Sequence, residues 1–280
     1  MTRLAADVRA FAAAAQKELR ITRRYPAMYL GMIFWPVLLP AVWVLMAQAY
    51  SGANDARAVA AFAARAGTTE IAGFVFVGYA MYMWLSTILW GPGTALRREQ
   101  MQGSLEAIFL TPTSRLVPLF APPMAALPNI LLTFGVMGIA MWLLFGVVPA
   151  PDAALRAVVI TVVGLPAMYA IGALFAAGVL RFGEIGPIVQ IVRGTFVLAC
   201  GITFPVAMLP EWAQVGAALL PPTYIVADIR AVLLRGFGLA DVGGDVLITL
   251  VLTAVIAVLA VFLFRALEAS ARRTGMLSRF

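Results

Sequence analysis

Six long, nearly uncharged stretches constrain the fold of this chain more than any other feature. They are Met28–Tyr50, Ile71–Trp90, Leu119–Val147, Ala154–Leu180, Ile185–Phe204 and Val246–Leu267. Each reaches the length of about 20 residues that a helix needs to cross the roughly 30 Å hydrocarbon core of a bilayer. Since 63% of all residues are hydrophobic and only 12% are charged, much of this surface must face lipid. The sequence therefore predicts an all-α integral membrane protein with six transmembrane helices.

The basic residues predict which ends of these helices face the cytoplasm. If the loops alternate between the two sides, fourteen basic residues lie on the side of both termini and five lie on the other side. Cytoplasmic loops carry the excess of Lys and Arg, so we expect a multi-pass protein of the cell membrane with both termini cytoplasmic. The net charge of +7 is explained by the excess of basic residues on the cytoplasmic side and by their contact with membrane lipid. We therefore expect no nucleic-acid partner.

The chain lacks the residues on which most catalytic, metal and nucleotide sites depend. It contains no histidine, the usual general base and the commonest transition-metal ligand. Its single lysine, Lys17, follows no glycine-rich loop, so the chain has no P-loop for ATP. The only cysteine, Cys200, cannot form an intrachain disulfide. We therefore expect no catalytic, cofactor or metal site in this chain.

Two segments outside the apolar stretches are also predicted to be helical. Residues 1–27 begin with an amphipathic, basic pattern, which is typical of a helix on the membrane surface. Such a helix either anchors the orientation of the first span or contacts a cytosolic partner. Residues 205–243 contain four prolines, and they predict at least two short external helices that dip into or lie in the outer interface.

A polar segment separates the second and third apolar stretches. Along a helix over Arg97–Thr111, apolar and acidic side chains fall on different faces. The apolar face comprises Met101, Leu105, Ile108 and Phe109, and the acidic face comprises Glu99, Gln102 and Glu106. The sequence Thr111-Pro112 ends the helix. This helix either rests on the headgroups or docks in a groove of a soluble protein, and docking is favoured because carboxylates suit an anionic leaflet poorly.

The sequence "RREQMQGSLEAIFLTPTSR" resembles the cytoplasmic loop between the second and third spans of type-2 permeases of ATP-binding-cassette exporters. The positions that match the family pattern are Glu99, Gly103, Ser104, Leu105, Glu106, Thr111 and Pro112. Together with Arg97 and Arg98 they form the candidate interface for ATPase coupling. The stretches "KELRITRRYPAMYL" and "GITFPVAMLPEWAQVGAALLPPTYIVADIRAVLLRG" resemble the start of the family's first span and the end of its fifth.

This resemblance extends over residues 1–280 as one transmembrane domain, with 97–112 as its coupling helix. It implies an export permease for a lipophilic or amphiphilic substrate such as a drug, a lipid or a lipid-linked molecule. It also implies a second permease copy, identical or a close paralogue, and two P-loop ATPase subunits that bind ATP and Mg. The alternatives are a stand-alone secondary carrier and a non-transporting membrane scaffold or immunity protein.

Arg193 is the most deeply placed charge in a predicted span, about 12 Å from the start of the fifth stretch. Gln190, Arg193, Cys200 and Thr203 are predicted to share one side of that helix. We therefore take Gln190, Arg193 and Thr203 as candidate residues of a substrate pathway, with Arg193 facing an anionic substrate group or the second protomer. In the alternative, the arginine side chain extends to the cytosolic headgroups.

Overall fold

The computed structural model describes residues 26–51, 56–101, 127–182 and 186–274, together with isolated positions before residue 26. These residues form helices and turns and contain no strand, so the all-helical prediction is confirmed for them. The α-helices are α1 (Pro26–Ser51), α2 (Ala56–Ala66), α3 (Ile71–Met101), α4 (Leu127–Phe145), α5 (Pro151–Phe182), α6 (Gly186–Ala199), α7 (Glu211–Ala218), α8 (Pro221–Leu234) and α9 (Gly243–Thr274). The predicted surface helix at the N-terminus lies outside the described ranges.

Several of these helices have the length and composition of membrane spans. Four stretches are long and apolar enough to cross a bilayer: Ile71–Gly91, Pro128–Phe145, Pro151–Phe175 and Gly243–Leu263. Shorter apolar stretches occupy Phe34–Ala49 in α1 and the whole of α6. Helices α7 and α8 pass the same test as a pair but meet at an angle of 90°, as in a broken span or a re-entrant loop. These helices support a multi-pass membrane protein, while the number of six crossings and the side of the termini stay predictions.

Helix α3 is the central helix of the bundle. In its apolar stretch 61% of the residues are buried inside the protein, against 17% in the stretch of α9. One face of α3 packs with α5 and α8 in a core that includes Trp84, Met168 and Ile229. Another face packs with α1 and α4 in a smaller core around Phe76 and Met141. Because both cores share α3, a movement of this helix would disturb all of its neighbours.

The ends of some helices differ from the sequence-based expectations. Helix α6 ends at Ala199, five residues before the predicted end of the fifth span, and a turn follows in which Gly201 adopts a φ of +69°. Helix α2 was not expected in the loop between the first two apolar stretches. Helix α7 begins directly after Pro210, and α8 begins with two prolines, within the range where at least two short helices were predicted. Proline is tolerated there because the first N–H groups of a helix have no intrahelical partner.

The early end of α6 leaves its following turn at membrane depth. A helix of 14 residues rises only about 21 Å, which is less than the roughly 30 Å of the hydrocarbon core. Cys200, Gly201 and Ile202 of the turn are buried. Backbone carbonyl groups of a non-helical segment at this depth need partners from elsewhere in the protein.

Arg230 of α8 supplies these partners. Its side chain is only 8% exposed. Nη1 donates a hydrogen bond to the carbonyl oxygen of Gly201 at 2.6 Å, and Nη2 donates one to that of Ile202 at 2.7 Å. Nε and Nη2 also donate to the carbonyl oxygen of Phe74 on α3, at 3.2 and 2.9 Å. The guanidinium therefore joins α8, the turn after α6 and α3, although the charge pattern assigned Arg230 to an external loop.

Gly78 of α3 allows this close approach. A Cβ atom at this position would overlap the carbonyl oxygen of Ile202 and the guanidinium of Arg230. The carbonyl is backbone and cannot rotate away as a flexible side chain would. The turn after α6 thus packs directly on the backbone of α3, and only glycine leaves room for it.

We predict that Gly78→Ala lowers the free energy of unfolding of the purified protein by about 1–3 kcal/mol, since overpacking a close contact forces the turn and Arg230 to shift. Gly138→Ala in α4 is the matched control, because, apart from the local backbone of α4 itself, no atom of the described chain lies within 4 Å of its added Cβ. The control should be neutral or stabilise the protein by up to about 1 kcal/mol through helix propensity. Unfolding in mixed micelles followed by circular dichroism measures both, and equal stability of the two variants would contradict the contact.

Candidate functional site

The predicted coupling segment begins on the same helix as the second span. Helix α3 continues ten residues beyond Gly91, where its apolar stretch ends, and Arg97, Arg98 and Glu99 lie in its last two turns. The remaining predicted interface residues, Gly103 to Pro112, lie outside the described residues. A continuous helix of this length extends about 15 Å past the apolar stretch. The backbone of α3 therefore connects the centre of the bundle to the beginning of the predicted interface.

Two candidate pathway residues, Gln190 and Arg193, meet two tyrosines of α3. The Arg193 guanidinium donates a hydrogen bond from Nη2 to Oε1 of Gln190, one turn earlier on α6. It also lies over the ring of Tyr82, with Cζ 5.0 Å from the ring centroid, within the range of a cation–π interaction. The rings of Tyr79 and Tyr82 are 5.0 Å apart. We call Tyr79, Tyr82, Gln190 and Arg193 the tyrosine–arginine patch.

The patch lies near the middle of the membrane-spanning part of the protein. Tyr82 occupies the centre of the apolar stretch Ile71–Gly91. It is about 14 Å from the end of that stretch at 1.5 Å per residue. The guanidinium of Arg193 is therefore held at mid-depth beside an aromatic ring. An arginine that extended to the headgroups would direct its guanidinium towards an end of the helix instead.

All four side chains of the patch remain accessible from outside the chain. Tyr79, Tyr82 and Arg193 are partly exposed, and Gln190 is exposed. Elsewhere on α6 the exposed surface is apolar, with Ile191 and Leu198 exposed by 69% and 57%. Accessible polar groups on an otherwise apolar helix suit an amphiphilic molecule better than a uniformly apolar or polar surface does.

The patch has no acidic member. Among the described residues, Arg193 contacts the amide of Gln190 and the ring of Tyr82, and no carboxylate pairs with it. By contrast, Arg156 near the start of α5 is paired with a carboxylate, in a salt bridge of 3.0 Å with Asp152. A cation at mid-membrane depth is costly unless it is paired or lies in a wet cavity. The arrangement therefore favours binding of an anion.

Thr203 and Cys200 do not extend this patch along a helix face. Because α6 ends at Ala199, Thr203 lies in the following turn, where it is exposed, and Cys200 is fully buried. The predicted stripe of four residues on one helical side is therefore incomplete: only Gln190 and Arg193 share the face that meets α3.

Tyr79 and Tyr82 are the residues that the sequence reasoning missed. They stand three apart in "GYAMYMW" and so share one face of α3. Tyrosines of membrane proteins are enriched at the interfaces rather than at the centre of a span. Two tyrosines on one face at mid-span are the signal that could have indicated a polar function there.

Two other features of the described residues show no comparable chemistry. No group of three His, Cys, Asp or Glu side chains in the described ranges is arranged to hold a metal ion. A groove of about 450 Å³ between α1 and α4 is lined by apolar side chains, among them Phe34, Leu38 and Phe145. Such a groove suits lipid chains and provides no polar group for recognition.

Comparison with protein families gives a direct match. The profile of the family described as ABC-2 type transporter matches residues 9–234, a range that includes the polar segment after α3, the tyrosine–arginine patch and both helices of the bent pair. No curated protein matches the chain. The match extends over well over half of the 280 residues. The chain therefore belongs to the ABC-2 type transporter family and is a membrane permease component of ABC-type transport.

Proposed function

We propose that the chain is the permease subunit of an ATP-driven exporter that moves a lipophilic or amphiphilic substrate outward across the cell membrane. The family match over residues 9–234 is the observation that carries this proposal. A permease of this family in general works with a partner ATP-binding subunit. The complex contains two permease copies, identical or closely related, and two P-loop ATPases. ATP and Mg bind to the ATPases, in keeping with the lack of a P-loop around Lys17.

Coupling to the ATPase uses the segment 97–112 on the cytoplasmic side. Glu99 and Glu106 contact basic groups in a groove of the ATPase, and closure of the nucleotide sites moves this segment. The continuity of α3 supports the transmission of that movement. From Tyr82 to Met101 the helix extends over 19 residues, or about 28 Å, and it stays helical through Gly91-Pro92-Gly93. A displacement at its cytoplasmic end therefore reaches the tyrosine–arginine patch.

Isolation of the full chain from its native membrane tests the class of transport. We expect it to copurify with a P-loop ATPase in a 2:2 complex. The ATPase turnover should rise severalfold on assembly, because productive closure of the nucleotide sites requires the permease. A secondary carrier would transport without a copurifying ATPase, and a scaffold would bind without raising turnover. Either of these two results would contradict the proposal.

The double variant Glu99→Gln/Glu106→Gln tests the coupling segment. We expect its ATPase turnover in the assembled complex to fall about tenfold, since two charge-assisted contacts to the ATPase are lost. Membrane insertion, measured by the amount of chain in the membrane fraction, should not change.

The double variant Glu70→Gln/Glu211→Gln is the matched control. It removes the same charge from two exposed carboxylates in the segments predicted to be external. This control should keep the full turnover. If both double variants retained full turnover, the docking role of Glu99 and Glu106 would be excluded.

A further inference from the structure

The tyrosine–arginine patch presents a cation that has no carboxylate partner among the described residues. The candidate spans contain four acidic residues. Asp152, Glu211 and Asp245 lie in the first turns of their helices, and Asp228 is buried in α8. A charged guanidinium at mid-span is therefore balanced only by neutral groups, the Gln190 amide and the Tyr82 ring.

A second, identical permease copy is poorly placed to supply the missing carboxylate. Its acidic residues occupy the same positions along the membrane normal as those of the first copy, since copies in a symmetric dimer of this topology share one orientation. Within the candidate spans these residues lie in the first turn of a helix or, for Asp228, are buried inside their own copy. We therefore expect an anion that reaches Arg193 at mid-depth to come from another molecule.

The geometry of the patch suits the head of an amphiphile. Arginine is always charged and offers several N–H donors to carboxylate or phosphate oxygens, and only part of this capacity is used by Gln190. Tyr79 and Tyr82 carry phenolic O–H groups that can donate to the same anion. Ile191 and Leu198 on α6 offer apolar surface for a hydrocarbon chain. We propose that the tyrosine–arginine patch binds the carboxylate or phosphate group of a transported amphiphile during its passage through the permease.

This assignment rests on the proposed function and adds the chemical class of the substrate. In the unloaded site the guanidinium stays on the Tyr82 ring, a cation–π contact that compensates part of its desolvation. An incoming anion offers a stronger partner. Movement of α3 driven from its cytoplasmic end shifts Tyr82 relative to Arg193, which changes the affinity of the patch between the two states of the transport cycle.

The test uses the permease–ATPase complex in nanodiscs of phosphatidylcholine. The probes are oleyl phosphate, oleyl alcohol and oleylamine, which share one hydrocarbon chain and differ in the charge of the head. Direct binding to the complex is measured by native mass spectrometry, and stimulation by ATPase turnover. We expect oleyl phosphate to bind and stimulate at concentrations at least about tenfold lower than the other two, because only it pairs with Arg193.

Variants of the patch should remove this preference. We expect Arg193→Gln to raise the half-maximal concentration of oleyl phosphate about tenfold while its response to oleyl alcohol stays unchanged, and Arg193→Lys to restore part of the preference. Tyr82→Leu should weaken the preference for oleyl phosphate less than Arg193→Gln does. Arg265→Gln, at an exposed arginine near the end of α9, lowers the net charge equally and should keep the full preference. Equal selectivity in Arg193→Gln and Arg265→Gln would overturn the proposal.

Two further arms separate cargo from resident lipid and separate this proposal from the proposed function. A fluorescent oleyl phosphate analogue should leave the cytoplasmic leaflet only when ATP is hydrolysed, and Arg193-dependent binding without such movement would identify a lipid site and overturn the assignment. Binding is also measured on the permease without its ATPase, so that the two proposals can fail separately. If no ATPase associates with the permease, the proposed function is contradicted. If the complex keeps its basal ATPase turnover but shows no preference for oleyl phosphate, only the assignment of the patch is contradicted.

Discussion

Inside a hydrocarbon core every backbone carbonyl group needs a partner, and Arg230 meets this need where α6 ends early. Its guanidinium satisfies the carbonyl oxygens of Gly201 and Ile202 and ties them to Phe74 on α3. Leaving such groups unpaired would cost about 1–3 kcal/mol each. This interaction fixes the bent pair of α7 and α8 against the bundle. The turn can approach α3 so closely only because residue 78 is glycine.

Helix α3 connects the three functional parts of the molecule. Its first half receives the turn and Arg230, its centre carries Tyr79 and Tyr82, and its last turns carry the start of the predicted coupling segment. A chain that harnesses a separate ATPase needs a rigid element whose position differs between two states. A single helix in both hydrophobic cores fits this requirement, because its displacement would alter the patch and helices α7 and α8 together.

The sequence predicted the helical class and the approximate position of each apolar helix, because long apolar runs have few alternatives in a membrane. The predicted end of the fifth span was too late in the sequence, since "GITF" is as apolar as the helix before it and gives no signal for a turn. Arg230 was assigned to a loop because charge counting carries no information on burial. Tyr79 and Tyr82 were missed because their partner on α6 is more than 100 residues away in sequence. Most of the coupling segment lies outside the described residues, so it stays a sequence-based prediction.

The location of the segment 97–112 on the cytoplasmic side is the condition for an ATPase to drive this permease. Accessibility of single cysteines in intact cells measures it directly, in a chain whose only native cysteine is removed by Cys200→Ala. Gln102→Cys should react with a membrane-impermeant maleimide only after permeabilisation, whereas Thr69→Cys, at an exposed residue before α3, should react in intact cells. Labelling of the Gln102→Cys variant in intact cells would place the segment outside and contradict the proposed transport mechanism.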